Sequence, residues 1–315
     1  MSECEKSQYI SRCLQLATVL EVSIQKPGNV GFESSFDGTR VEHFLASAIA
    51  VGPAFQEAAQ RGIEVKEGKR EVGKVGVGDL IKLCATDVAR WQRGGNTILG
   101  TTMLLVPLAV ASGMTAQKKD TSIDFYNLRR NLKTVVNSTN ALDSVHLYEA
   151  VDIANPSGLG GAPDLDVSNS DSKERLIKEN VGLFEVFKLA QNYDDICYEW
   201  VNDYPVTFDL AYPYLEQQLN HKPLSITVVH TFLKILSTRP DTFITRKVGK
   251  EKAIEISTEA KHVLELGGLE TIEGKKSLKA FDKKLRSSGN KCNPGTTADL
   301  TAATLALATL NGYRP

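Results

Sequence analysis

The stretch Ile98-Leu-Gly-Thr-Thr-Met-Leu-Leu-Val-Pro-Leu-Ala-Val-Ala111 is the longest apolar run in the chain. It falls short of the roughly 20 residues a membrane span needs, and Gly100 and Pro107 interrupt it. A helix apolar on nearly every side belongs inside a globular core. The run therefore predicts a buried central helix over 97–112, and the sequence around it has to supply helices that cover it.

It does so on both sides. Ile10, Cys13, Leu14, Ala17 and Leu20 form one apolar stripe at helical spacing. Phe44, Leu45, Ala48, Val51, Phe55 and Ala58 form a second, and Leu80, Cys84, Val88 and Trp91 a third, with Asp79 placed to cap its start. Further helical patterns cover 122–136, 143–153, 172–191, 195–202, 225–237, 250–265, 272–287 and 297–311. Ile226 to Val229 is β-branched, but its surroundings keep helical spacing and length. Strands do not alternate with helices, which excludes a Rossmann-type sheet, and no fixed repeat points to a solenoid. The expected fold is all-α, one compact domain over 1–315 with helices of mixed orientation. Residues 66–78 and 155–171, rich in Gly and Pro or Lys, read as loops.

With 37 Lys and Arg against 38 Asp and Glu, the net charge is −1. Nucleic acid and anionic membranes need a concentrated basic face, so neither is an expected partner, and an anionic ligand must be held locally. Five dispersed cysteines lack a Cys-x-x-Cys pair, which fits a reducing compartment. The polar N-terminus lacks a signal-peptide pattern. A soluble, cytoplasmic protein is expected. Walker A, Gly-x-Gly-x-x-Gly and Gly-x-Ser-x-Gly patterns are missing, as is any His pair at i, i+4.

Two segments share a design. Arg93-Gly-Gly-Asn-Thr97 leads into the apolar run, and Asn293-Pro-Gly-Thr-Thr-Ala-Asp299 leads into Leu300 to Leu310. Gly lets backbone approach a ligand, Thr can cap the helix, and the free amides at a helix start suit phosphate. The same residues serve an ordinary capped helix start, and such caps are far commoner than phosphate sites. Lys26-Pro-Gly-Asn-Val30 is either a tight turn with a solvated lysine or a second phosphate contact. Arg246 and Lys247 can neutralise a polyphosphate or simply face solvent. Asp241 and Asp299 can hold Mg²⁺ or cap helices, and Asp164 and Asp166 fit a turn as well as a metal.

Taken in order, these segments resemble the triphosphoribosyl-dephospho-coenzyme A synthase family from about Leu14 to Leu310. The marks are Lys26 to Val30, Phe44 to Ala48, Gly94 to Gly100, Ala154 to Gly160, Asp241 to Lys247 and Asn293 to Leu300. The resemblance implies an all-helical pentosyltransferase that joins ATP to 3′-dephospho-CoA and releases adenine, with Mg²⁺ on the triphosphate. It implies phosphate or substrate contacts from Lys26, Gly28, Asn29, Gly95, Asn96, Thr97, Arg246, Lys247, Asn293, Gly295, Thr296 and Thr297. Asp299 and Asp37 become the implied acid–base residues, and Asp299 and Asp241 the implied metal ligands.

The citrate-lyase and malonate-decarboxylase members carry an acidic residue soon after Lys-Pro-Gly; here that place is Gly31. The Gly-Asn-Thr-x-Leu-Gly form is more similar to an archaeal and methylotroph branch associated with tetrahydromethanopterin. Another acceptor, such as a tetrahydromethanopterin precursor, therefore stands beside dephospho-CoA, and a nucleotide-binding protein without turnover is the third reading. A homodimer is compatible with all three.

Overall fold

A computed structural model describes residues 2–36, 38–115, 122–157 and 164–315. The chain opens with α1 (Glu3–Ser23), α2 (Val41–Ala50), α3 (Gly52–Lys66), α4 (Val77–Trp91) and α5 (Leu99–Met114). It continues through α6 (Phe125–Asn137), α7 (Ala141–Ala154), α8 (Ser170–Lys178), α9 (Leu183–Ala190) and α10 (Asp195–Val201). A π-helical turn at Val206–Ala211 leads to α11 (Tyr212–Leu219), α12 (Leu224–Thr238), α13 (Thr242–Val248), α14 (Lys250–Glu265), α15 (Ile272–Arg286) and α16 (Gly295–Leu310). The described residues contain no β-strand and no helix long and apolar enough to cross a membrane.

The Ile98–Ala111 run is the buried helix its composition predicts: Leu104, Leu105, Val106 and Leu108 are almost wholly covered. Burying each such side chain stabilises by about 2 kcal/mol. Pro107 has no N–H, so it leaves the Met103 carbonyl without its helical donor. The Trp200 indole N–H fills that vacancy at 2.9 Å, and the Tyr204 hydroxyl reaches the next carbonyl, Leu104, at 3.3 Å. The second central helix is α16, covered from Leu300 to Leu310.

Small residues bring the helices close. A Cβ on Gly62 of α3 would lie 2.0 Å from the Val110 carbonyl oxygen of α5, so only glycine permits this crossing. Helix α1 runs along α16, where the Thr309 hydroxyl donates to the Cys13 carbonyl at 2.9 Å. A further apolar cluster lies among α12–α15, around Phe232, Leu236, Ile256 and Phe281. Helix α12 joins it to the main core, to which Val228 and Ile235 belong.

Three details depart from the sequence reading. The expected helix over 172–191 is two helices, because Asn180 adopts a left-handed φ of 52° and ends α8. Its neighbour Val181 donates back to the Leu176 carbonyl at 2.9 Å, the usual closure at a helix end. Residues 206–219, not expected to be helical, form the π-helical turn and α11. Glu199 stabilises that widened turn by accepting the Val206 N–H at 2.8 Å and the Thr207 N–H at 3.0 Å. Asp79 is not the cap of α4, which Gly76 occupies; it pairs with Arg61 at 3.2 Å.

The consequence for the site is directional. Helix α1 ends, and α5 and α16 begin, at one place on the molecule.

Candidate active site in a shared cleft

A cleft of about 240 Å³ opens where those three ends meet. Asn29 follows α1, while Asn96 and Thr97 precede α5. Arg246 comes from α13, and Asn293, Gly295, Thr296 and Asp299 surround the start of α16. Residues 29 to 299 thus converge, and eight of the side chains or glycines proposed from sequence line one space.

Asp299 sits in the first turns of α16, half-buried in the cleft. Thr101, in the first turn of α5, donates its hydroxyl to Asp299 Oδ1 at 2.6 Å. The Asp299 pKa is pushed up to about 8, chiefly by desolvation and in part by the nearby charges of Glu21, Asp241 and Asp194, while the Thr101 bond acts the other way. The opposite oxygen, Oδ2, lies against Gly100, where a Cβ would come within 2.2 Å of it.

The helix starts offer fewer amides than the sequence promised. At α16 the Gly295 N–H donates to the Asn293 carbonyl at 2.9 Å and the Thr297 N–H to Asp241 Oδ2 at 2.7 Å, which leaves Thr296. At α5 the Leu99 N–H is taken by Asn96 Oδ1 at 3.1 Å. Gly100 and Thr101, both lining the cleft, keep N–H groups with no acceptor among the described residues. Such a pair at a helix start, aligned with the positive end of its dipole, suits an anion. Two buried amide atoms, Asn29 Nδ2 and Asn293 Oδ1, also lack protein partners. Orphan groups of this kind in a cleft are what a bound ligand or water satisfies.

The charges were only partly foreseen. Arg246 donates to Asp194 Oδ2 at 2.5 Å, and Asp194 also caps α10. Glu21, in the last turn of α1, joins Asp194 and Asp299 in the lining. Three carboxyl groups therefore face one guanidinium. Sequence reasoning missed Glu21, Asp194 and Thr101. Glu21 carried one usable signal, an acidic residue on a stripe that is otherwise apolar and five positions before Lys26.

Several expected residues do other work. Lys26 is buried beneath the cleft; its ammonium donates to the Glu21 carbonyl and to the Ile24 carbonyl at 2.7 Å. It also lies 3.1 Å from Glu21 Oε1, an ion pair that lacks hydrogen-bond alignment. These contacts make it the cap of α1 rather than a phosphate ligand, since its donors are spent on the last carbonyls of that helix. Gly28 has φ 74° and donates its N–H to Asp282 Oδ1 at 2.8 Å, fixing the turn against α15.

Asp241 is buried, with Oδ1 accepting the Ile244 N–H at 3.0 Å and Oδ2 accepting both the Thr297 N–H and hydroxyl at 2.7 Å. Both oxygens accept from protein donors, so Asp241 and Thr297 lock α13 to α16, and neither lines the cleft. Lys247 rests over the Phe243 ring at 4.1 Å, outside the cleft lining. Gly95 borders a neighbouring recess instead. Asp37 lies outside the described residues. Asp164 pairs with Arg175 of α8 at 2.8 Å, and Asp166 accepts the Ser168 N–H of its own turn at 2.7 Å.

Among the described residues, no three His, Cys, Asp or Glu side chains converge to hold a metal by themselves. The lining instead fits an ion carried in by a polyanion, because Mg²⁺ commonly takes one or two carboxylates and completes its shell with phosphate oxygens and water.

The family model described as "CitG: ATP:dephospho-CoA triphosphoribosyl transferase" matches residues 7–315. A curated protein from Stutzerimonas stutzeri (strain A1501), named "Probable 2-(5''-triphosphoribosyl)-3'-dephosphocoenzyme-A synthase", is 36% identical over 75 residues. That match spans 24% of this chain and only 25% of the relative. A solved structure from Archaeoglobus fulgidus, described as a "putative triphosphoribosyl-dephospho-coA synthase", is similar over 87% of this chain and 100% of its own. The two superpose with a TM-score of 0.62 at 25% identity.

Proposed function

The chain belongs to the CitG family of ATP:dephospho-CoA triphosphoribosyl transferases, and from that premise we propose that it transfers the triphosphoribosyl group of ATP to a ribose hydroxyl of 3′-dephospho-CoA. The observation that carries this reading is the convergence of Asn29, Asn96, Thr97, Arg246, Thr296 and Asp299 on one cleft. The triphosphate lies along the Gly100 and Thr101 amides, the Thr296 amide and Arg246. The acceptor hydroxyl attacks the anomeric carbon of ATP: a C–O bond forms there, the bond to adenine N9 breaks, the departing base takes a proton from water, and the hydroxyl gives up its own.

Asp299 receives that proton. A carboxyl with a pKa near 8 is a stronger base when ionised than an ordinary one, and its value lies near the operating pH, where general catalysis is most efficient. Thr101 fixes its orientation. Bound Mg²⁺ would neutralise the triphosphate, and Glu21 is the carboxylate that would hold it. The metal role expected of Asp299 passes to Glu21 because Asp299 keeps its lone pairs for the Thr101 hydroxyl and the incoming proton.

Adenine release from ATP, Mg²⁺ and 3′-dephospho-CoA, followed by chromatography, tests the proposal. Equal yields of adenine and the triphosphoribosyl product are expected, and Asp299→Asn should abolish both while the protein stays folded. A folded wild-type protein that binds ATP yet releases no adenine with this acceptor would overturn the choice of acceptor. The Gly31 position then favours repeating the assay with a pterin precursor.

A further inference from the structure

Beside the cleft lies a second, smaller recess of about 190 Å³ that shares Asn96, Ile98 and Leu99 with it. Its character is different. The end of α4 supplies Ala85, Val88 and Ala89, and the end of α7 supplies Ile153 and Ala154. No carboxylate lines it. Its polar groups are largely committed: Gln92 Nε2 donates to the Gly95 carbonyl at 2.7 Å, and Arg93 donates to the Ala89 carbonyl at 2.8 Å. An apolar chamber with a few polar groups at its edge is the usual form of a site for a flat organic ring.

Resting on the polyphosphate reading of the cleft, we infer that this recess takes the purine base of the nucleoside triphosphate. The base and the triphosphate hang from one ribose, so their sites must lie within one sugar of each other. Asn96, Ile98 and Leu99 are the shared wall that meets this requirement. The acceptor is the poorer occupant, because its diphosphate and long arm need polar groups and length that a 190 Å³ apolar recess lacks. The recess also explains why the Arg93-Gly-Gly-Asn turn is built as it is. Gly95 adopts φ 74°, and Gly94 leaves no room for a Cβ beside His43, where one would come within 2.2 Å of the ring. The turn can therefore bend Asn96 onto the boundary between the two spaces.

Two variants fill the recess from opposite walls, Ala89→Phe at the exposed rim of α4 and Ala154→Leu on α7. Calorimetry with ATP and with inorganic tripolyphosphate, both in Mg²⁺, separates the base from the phosphates. The wild-type protein should bind ATP at least about tenfold more tightly than tripolyphosphate, and each variant should lose most of that advantage. Tripolyphosphate binding should be unchanged in both, which also shows that they are folded. ATP affinity that is unaffected, or that falls in step with tripolyphosphate, overturns the base pocket and leaves the cleft reading intact. Wild-type protein that binds ATP no better than tripolyphosphate overturns it too. If the wild-type protein binds neither, the polyphosphate cleft itself fails, and the recess with it.

Discussion

Thr101 and Asp299, 198 positions apart in sequence, meet in a 2.6 Å hydrogen bond that ties the first turn of α5 to the second turn of α16. The bond fixes a carboxyl group at the point where the two most buried helices of the molecule begin. It also sets a conflict between solvation and hydrogen bonding that has a measurable consequence.

That consequence is the pH dependence of stability. Burial lifts Asp299 to about 8 and Glu199, beneath the π-helical turn, to about 7. In the unfolded chain both ionise near about 4. The folded state therefore binds more protons than the unfolded state between those limits. The stabilisation is complete below the unfolded pKa and is lost as pH rises through the folded values. The melting temperature should fall between about pH 5 and pH 8.5, and the slope should flatten in Asp299→Asn and in Glu199→Gln. Scanning calorimetry across pH checks this; identical slopes in wild type and variants would mean that both carboxyls ionise normally.

Lys26 separates a structural from a ligand role. Its ammonium is buried against the end of α1 and Glu21. Lys26→Met should cost about 3 kcal/mol, since removing one partner of a buried pair leaves the other charge uncompensated. Denaturant unfolding measures that loss. Tripolyphosphate affinity of the folded protein should change little, and a large drop in affinity without loss of stability would restore the lysine to the phosphate site.

The sequence was most informative where the physics is periodic. The fully apolar stretches at 98–111 and 300–310 and the flanking stripes predict the helices, and the Gly-Asn-Thr and Pro-Gly-Thr-Thr turns predict which ends meet at the cleft. Roles of single charged residues were much less legible. Lys26, Asp241 and Arg246 all carry charge close to helix ends, yet the first two are taken up mainly by backbone groups and the third lines the cleft. No local pattern distinguishes a cap from a ligand, because both need the same donors and acceptors at the same helix ends. Glu21 and Asp194 were hidden for the converse reason: they reach the site only through the packing of α1 and α10 around α5.

Arg246 and Lys247 are adjacent but should behave differently. Arg246 lines the cleft and pairs with Asp194, whereas Lys247 lies over Phe243 outside that lining. A charged hydrogen bond contributes about 1.5–3 kcal/mol, so Arg246→Gln should weaken tripolyphosphate and ATP binding by about ten- to a hundredfold. Lys247→Gln should have a small effect. Titrations at two salt concentrations add a second reading, because the Arg246 variant should show a weaker salt dependence than wild type. Equal losses in the two variants would point to a diffuse surface field instead of a contact in the cleft.

Gly100 gives the sharpest test of the carboxyl position. Within a helix, alanine is favoured over glycine by roughly 0.5–1 kcal/mol, so Gly100→Ala should not harm α5 by itself. Its new methyl group, however, would stand 2.2 Å from Asp299 Oδ2 and 2.7 Å from the carboxyl carbon. The Asp299 side chain can turn away only by straining or breaking its bond to Thr101. The variant should therefore melt close to wild type and still bind tripolyphosphate, while adenine release falls by about a hundredfold, the scale expected for misplacing a reacting group by an ångström. Calorimetry and the adenine assay on one preparation decide the matter. Full turnover in a well-folded Gly100→Ala protein would show that the reaction does not depend on Asp299 occupying this position.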